Sequence, residues 1–150
     1  MTKEGIKDAI RDILKDDTQK RALDFATYLE LNEMTLEKVS ETLWKADYQD
    51  KCICYIYIDG TIQPPGPWTI WFDGDYRSEP GGFTISKHTK ELAWKHANIC
   101  GSCGGSCSPG MSKAIFGKEL DNVCNSVLAF NNPDAEVLEC VKNLIEMDLL

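Results

Sequence analysis

Three of the seven cysteines crowd into one glycine-rich stretch, Cys100-Gly101-Ser102-Cys103-Gly104-Gly105-Ser106-Cys107-Ser108-Pro109-Gly110. Thiolates are soft metal ligands, and a tetrahedral zinc site takes four cysteines, or three cysteines and a histidine. The spacing C-x2-C-x3-C supplies three sulfurs, and Gly101, Gly104 and Gly105 relax the backbone so that they can converge. Cys124 is the expected fourth ligand; Cys140, Cys52 and Cys54 are its rivals. His96 is another, because four residues before Cys100 it would share a face with that thiol on a continuous helix. The pattern has one knuckle plus a third cysteine, whereas a zinc ribbon pairs two knuckles. It also departs from the ferredoxin run, which reads C-x2-C-x2-C with a further cysteine before proline. The plain alternative is a turn of reduced or disulfide-bonded thiols, the other four cysteines packing as small hydrophobes.

Two further chemistries meet objections in the same stretch. A thioredoxin-like role for Cys100 and Cys103 needs the nucleophile at a helix N-terminus, where the dipole favours the thiolate. A helix expected over residues 87–99 would put the pair at its C-terminus instead. Gly105 and Gly110 have the gap of a phosphate-binding loop, but Met111-Ser112 follows where lysine should stand, and Pro109 lacks a backbone donor.

A second group is aromatic. Trp44, Tyr55, Tyr57, Trp68 and Trp71, with Phe72, fall on stretches that read as neighbouring strands. Such a set can line a small-molecule pocket, with Asp73, Asp75 and Glu79 as polar groups at its mouth, or it can be plain core. Only two histidines exist, His88 and His96. No G-x-S-x-G elbow occurs, and no spacing pairs a thiol with a histidine. No catalytic residues are assigned, and the chain reads as a non-enzymatic protein.

The elements that must position these residues follow from periodicity. Ile6, Ile10, Ile13 and Leu14 recur at helical spacing, as do Ala22, Phe25, Ala26 and Leu29 after a cap at Thr18. Leu36, Val39 and Leu43 extend the helical reading into a third, shorter stretch. The period then becomes two. Residues 44–48 and 51–59 read as strands joined at Gln49-Asp50. In the second, Cys52, Cys54, Ile56 and Ile58 face one side and Ile53, Tyr55 and Tyr57 the other, which predicts a central strand covered on both faces. Residues 67–73, 113–116 and 121–130 are further strands. The helix over residues 87–99 carries Leu92, Ala93, His96 and Ile99 on one side and ends at Gly101. A last helix follows Asn132-Pro133-Asp134, which offers a cap, a first-turn proline and an acidic first turn.

The result is one α+β domain over residues 1–150, with an antiparallel sheet of about four strands and helices packed on it. Residues 1–43 are its mainly helical part; residues 44–150 hold the sheet, the cysteine loop and the C-terminal helix. A chain of 150 residues suggests one domain and can bury a sizeable core without disulfide staples. Net charge is −8, with −4 in residues 1–50, zero in 51–100 and −4 in 101–150. That average field repels nucleic acid and anionic membranes. No apolar run approaches the ~18 residues of a membrane helix, and Met1-Thr2-Lys3-Glu4-Gly5-Ile6 lacks the apolar stretch of a signal peptide. An odd number of cysteines without such a signal points to reduced thiols in the cytoplasm.

Several segments together resemble a family of small uncharacterised bacterial proteins. They are Trp68-Thr69-Ile70-Trp71-Phe72, the loop from Cys100 to Gly110, Ile115-Phe116-Gly117-Lys118-Glu119, Asp121-Asn122-Val123-Cys124, and Phe130-Asn131-Asn132-Pro133-Asp134-Ala135 with Leu138-Glu139-Cys140. The resemblance covers residues 44–145 and is most specific in the cysteine loop. It implies a cytoplasmic bacterial protein and brings no activity or residue roles with it. The leading expectation is therefore a structural or sensory zinc held by Cys100, Cys103, Cys107 and Cys124. The alternative is a small molecule held by Trp44, Tyr55, Tyr57, Trp68 and Trp71.

Overall fold

The structure, a computed structural model, describes residues 5–60, 67–72, 86–99, 111–116 and 118–148. It is an α+β fold with antiparallel pairing, as the sequence predicts. Seven strands are present among the described residues, against about four expected: β1 (Thr35–Lys38), β2 (Leu43–Tyr48), β3 (Lys51–Ile58), β4 (Trp68–Phe72), β5 (Ala97–Ile99), β6 (Met111–Ile115) and β7 (Lys118–Asn131). Hydrogen bonding orders them β1-β2-β3-β4-β7-β5, with β6 also on β7. The contacts group into two compact units, residues 1–71 with 130–138, and residues 72–129 with 139–150.

The first unit begins with α1 (Ile6–Ile13) and α2 (Asp16–Leu31). Ile6, Ala9 and Ile10 form the buried stripe of α1, and Ala22, Phe25, Ala26 and Leu29 that of α2. The second helix starts at Asp16, ahead of the expected cap at Thr18. The carbonyls at the end of α1 are met by Gln19, whose side-chain amide donates to Leu14 O at 2.8 Å and Arg11 O at 3.1 Å. Asn32 Nδ2 donates to Tyr28 O at 2.8 Å, and Glu33 takes φ +62°, so the chain turns out of α2.

The helix predicted over residues 35–43 is not formed. Instead β1 (Thr35–Lys38) pairs antiparallel with β2 (Leu43–Tyr48), Thr35 opposite Asp47 and Lys38 opposite Trp44. The spacing of Leu36, Val39 and Leu43 fits a helix, yet Val39 is 53% exposed. Strand pairing satisfies the backbone and outweighs a weak local preference. The turn at Gln49-Asp50 is as predicted: both residues have positive φ, +49° and +67°, as a two-residue hairpin with the right strand twist requires. It leads into β3 (Lys51–Ile58) and then β4 (Trp68–Phe72), each antiparallel to the strand before it. Between them the Asp59 and Gly60 amides both donate to Pro67 O, at 3.0 and 2.9 Å.

In the second unit, α3 (Lys87–Lys95) is capped by Ser86, whose Oγ accepts from Thr89 N at 3.1 Å. The helix stops at Lys95. The His96 amide donates to Leu92 O and Ala93 O, and the next residues form β5 (Ala97–Ile99). The helix predicted to continue to residue 99 is therefore shorter, because the His96 carbonyl accepts from Ala129 N at 3.0 Å and strand pairing takes over. β6 (Met111–Ile115) and β7 (Lys118–Asn131) form a hairpin, Ile115 opposite Lys118. Trp94 Nε1 donates to Ile115 O at 2.6 Å, and Lys118 Nζ lies 5.1 Å from the Trp94 ring centre. α4 (Ala135–Asp148) follows as predicted. Its cap is Asp134, whose Oδ1 accepts from Val137 N at 2.9 Å, while Asn132 takes φ +45°.

Candidate functional site

Cys100, Cys103 and Cys107 lie outside the described residues, as do Asp73, Asp75, Glu79 and the glycines that resemble a phosphate loop. The described chain does fix where the cysteine stretch departs and returns. Ile99, the last residue of β5, registers on Val123 of β7; Met111, the first residue of β6, registers on the same Val123. A single residue cannot bond two strands on one side, so β5 and β6 flank β7 at this level. The two ends therefore lie roughly two strand spacings, about 10 Å, apart. Eleven residues, 100–110, connect them, several times the length that such a gap requires.

Cys124 is the next residue after that shared register point. It is described in its backbone alone. Ala97 pairs with Leu128 and Ile99 with Val123, so two steps along β5 match five along β7, and residues 124–127 form an irregular stretch. Such irregularities release strand residues from regular pairing and occur often beside functional sites.

The helical face that nominated His96 as a ligand is not formed. His96 caps α3, and β5 separates it from residue 100. Three strand steps from His96 to Ile99 cover about 10 Å. The same finding removes the dipole objection to Cys100 and Cys103 as a redox pair. The helix C-terminus is at Lys95, and its field fades within the last turn.

Cys52 and Cys54 lie on β3, and Cys140 on α4. Cys54 and Cys140 are buried and Cys52 is half-buried. Cys140 Sγ donates to Thr89 O at 3.6 Å, and burial pushes its pKa up to about 12. Such a thiol is packing, not a nucleophile. Among the described residues, no group of three or more His, Cys, Asp or Glu side chains is gathered as a metal would need.

Register divides the aromatic set in two. Trp44, Ile56 and Ile70 are cross-strand neighbours, and Ile58 faces Trp68, so these share one side of the sheet. That side is core: Trp44 is 2% and Trp68 1% exposed, with the Phe25 ring centre 6.1 Å from that of Trp68. The five aromatics are therefore not brought together on one face of the sheet. Lys45, Tyr55 and Trp71 form a row on the opposite side, beside the row of Leu43, Tyr57 and Thr69. Tyr55, Tyr57 and Trp71 are half-buried while Thr69 in the same layer is buried, so this face of β3 is partly covered where full cover is expected.

Tyr57 and Trp71 stack with ring centres 5.7 Å apart and planes at 28°. The Tyr57 hydroxyl donates to Asp59 Oδ2 at 2.6 Å; this bond, then burial and the Asp59 charge, raises its pKa above the ordinary 10.0. Lys45 Nζ stands 3.6 Å from Asp47 Oδ2 and 3.9 Å from Glu37 Oε2 on the same side. Asp59, Lys45 and Asp47 were not singled out by residue type. The signal was available in the alternation: Asp59 lies two residues beyond Tyr57, and Asp47 two beyond Lys45.

Set against protein-family models, curated proteins and solved structures, the chain matches none of them. No helix among the described residues is long and apolar enough to cross a membrane.

Proposed function

We propose that the chain is a non-enzymatic cytoplasmic protein whose cysteine loop binds a structural or sensory zinc ion through Cys100, Cys103, Cys107 and Cys124. The observation that carries this reading is the shared register of Ile99 and Met111 on Val123. Both ends of a stretch with three thiols are thereby tied to the strand residue next to a fourth. Four cysteine thiolates suit zinc in both softness and number. The ion would cross-link the loop to the strand, adding free energy that is present only in the folded state. The net charge of −8 argues against nucleic acid as the partner.

The test is elemental analysis of tag-free protein prepared anaerobically under reducing conditions. About one zinc per chain is expected, with Cys124→Ser lowering zinc retention and Cys140→Ser leaving it unchanged. A metal-free chain overturns the reading.

A second reading rests on a different observation, the half-buried stack of Tyr57 and Trp71 beside Tyr55. This face would hold a small molecule against its rings, with Asp59 and Lys45 as polar neighbours. A ligand screen by tryptophan fluorescence checks it. Saturable quenching that Trp71→Phe abolishes, and that chelators leave untouched, supports the face. The same quenching in Trp71→Phe assigns the signal elsewhere and overturns this reading.

A further inference from the structure

We draw no further inference here: the strongest candidate, the groove beside the N-terminus of α1 lined by Lys7, Asp8, Arg11, Glu30, Met34 and Leu36, carries nothing because Lys7 pairs with Glu30 at 2.7 Å and Arg11 with Asp8 at 3.5 Å, and no second observation points to a ligand there.

Discussion

Gly60 shows how narrowly one residue can be specified. Its φ is +79°, a region that a Cβ disfavours, and a Cβ built there would lie 2.6 Å from Ile13 Cγ2 and 3.1 Å from Ile13 O. The side-chain contact can relax by a small shift, but the carbonyl belongs to the end of α1. Gly60→Ala therefore combines left-handed strain with overpacking, and should destabilise the protein by about 2–3 kcal/mol. In denaturant titrations the midpoint should fall at unchanged slope. A neutral result would mean that the end of α1 gives way to the added methyl group at no cost. The contrast among the cysteines belongs to this scale too. Burial sets Cys140 apart from any thiol with a chemical task, and nothing in its residue type announces that.

At the scale of elements, one joint ties α3 to α4. Ser86 Oγ donates to Thr89 Oγ1 at 2.9 Å, Asn143 Nδ2 donates to the same oxygen at 3.1 Å, and Cys140 Sγ reaches Thr89 O. The joint needs a protonated thiol, which gives it a pH dependence of definite sign. In the unfolded chain Cys140 ionises near the ordinary 9.0; in the folded protein it stays protonated until about 12. Between those values the unfolded state binds fewer protons, so stability falls as pH rises, by up to about 1.4 kcal/mol per pH unit. Below 9.0 the contribution is fully present. Urea denaturation from pH 8 to 11 should show this decline in the parent protein, and a shallower one in Cys140→Ala. Parallel curves would show that the thiol is not protected.

For the molecule as a whole, the central question is what holds β5 and β6 beside β7. β5 spans only Ala97–Ile99, and the register slips against β7 on both flanks. Short, irregular pairings open at lower free energy than long regular ones. If zinc clamps the chain between β5 and β6, chelation should raise amide exchange first in β5, β6 and residues 118–128. The pairing of β2 with β3 should remain protected. Uniform acceleration would instead mean that any metal acts on global folding, and unchanged exchange would remove the clamp altogether.

Local sequence determined the elements whose residues settle their own conformation. The stripes of α1 and α2, the hairpin at Gln49-Asp50, the strands at 51–58 and 68–72, and the C-terminal helix were legible because periodicity reports which residues share a face. Residues 121–130, whose pattern predicts a strand, lie within the longer β7. The cysteine spacing suggests a chemistry without giving it a place. Tertiary structure decided whatever depended on a distant partner. Leu36, Val39 and Leu43 satisfy a helical period, yet residues 35–38 pair with 44–47 as a strand, Val39 falls in the turn and Leu43 opens the partner strand. His96 satisfies the same period, yet its carbonyl meets Ala129 and the helix ends before it. Alternation alone could not tell that Trp44 and Trp68 enter the core while Tyr55, Tyr57 and Trp71 stay half-covered, because two faces of a strand look alike until a layer packs on one. Nor could it show that two strands meet at Val123. Register is a choice among partners far apart in the chain, and only closure of the sheet makes that choice.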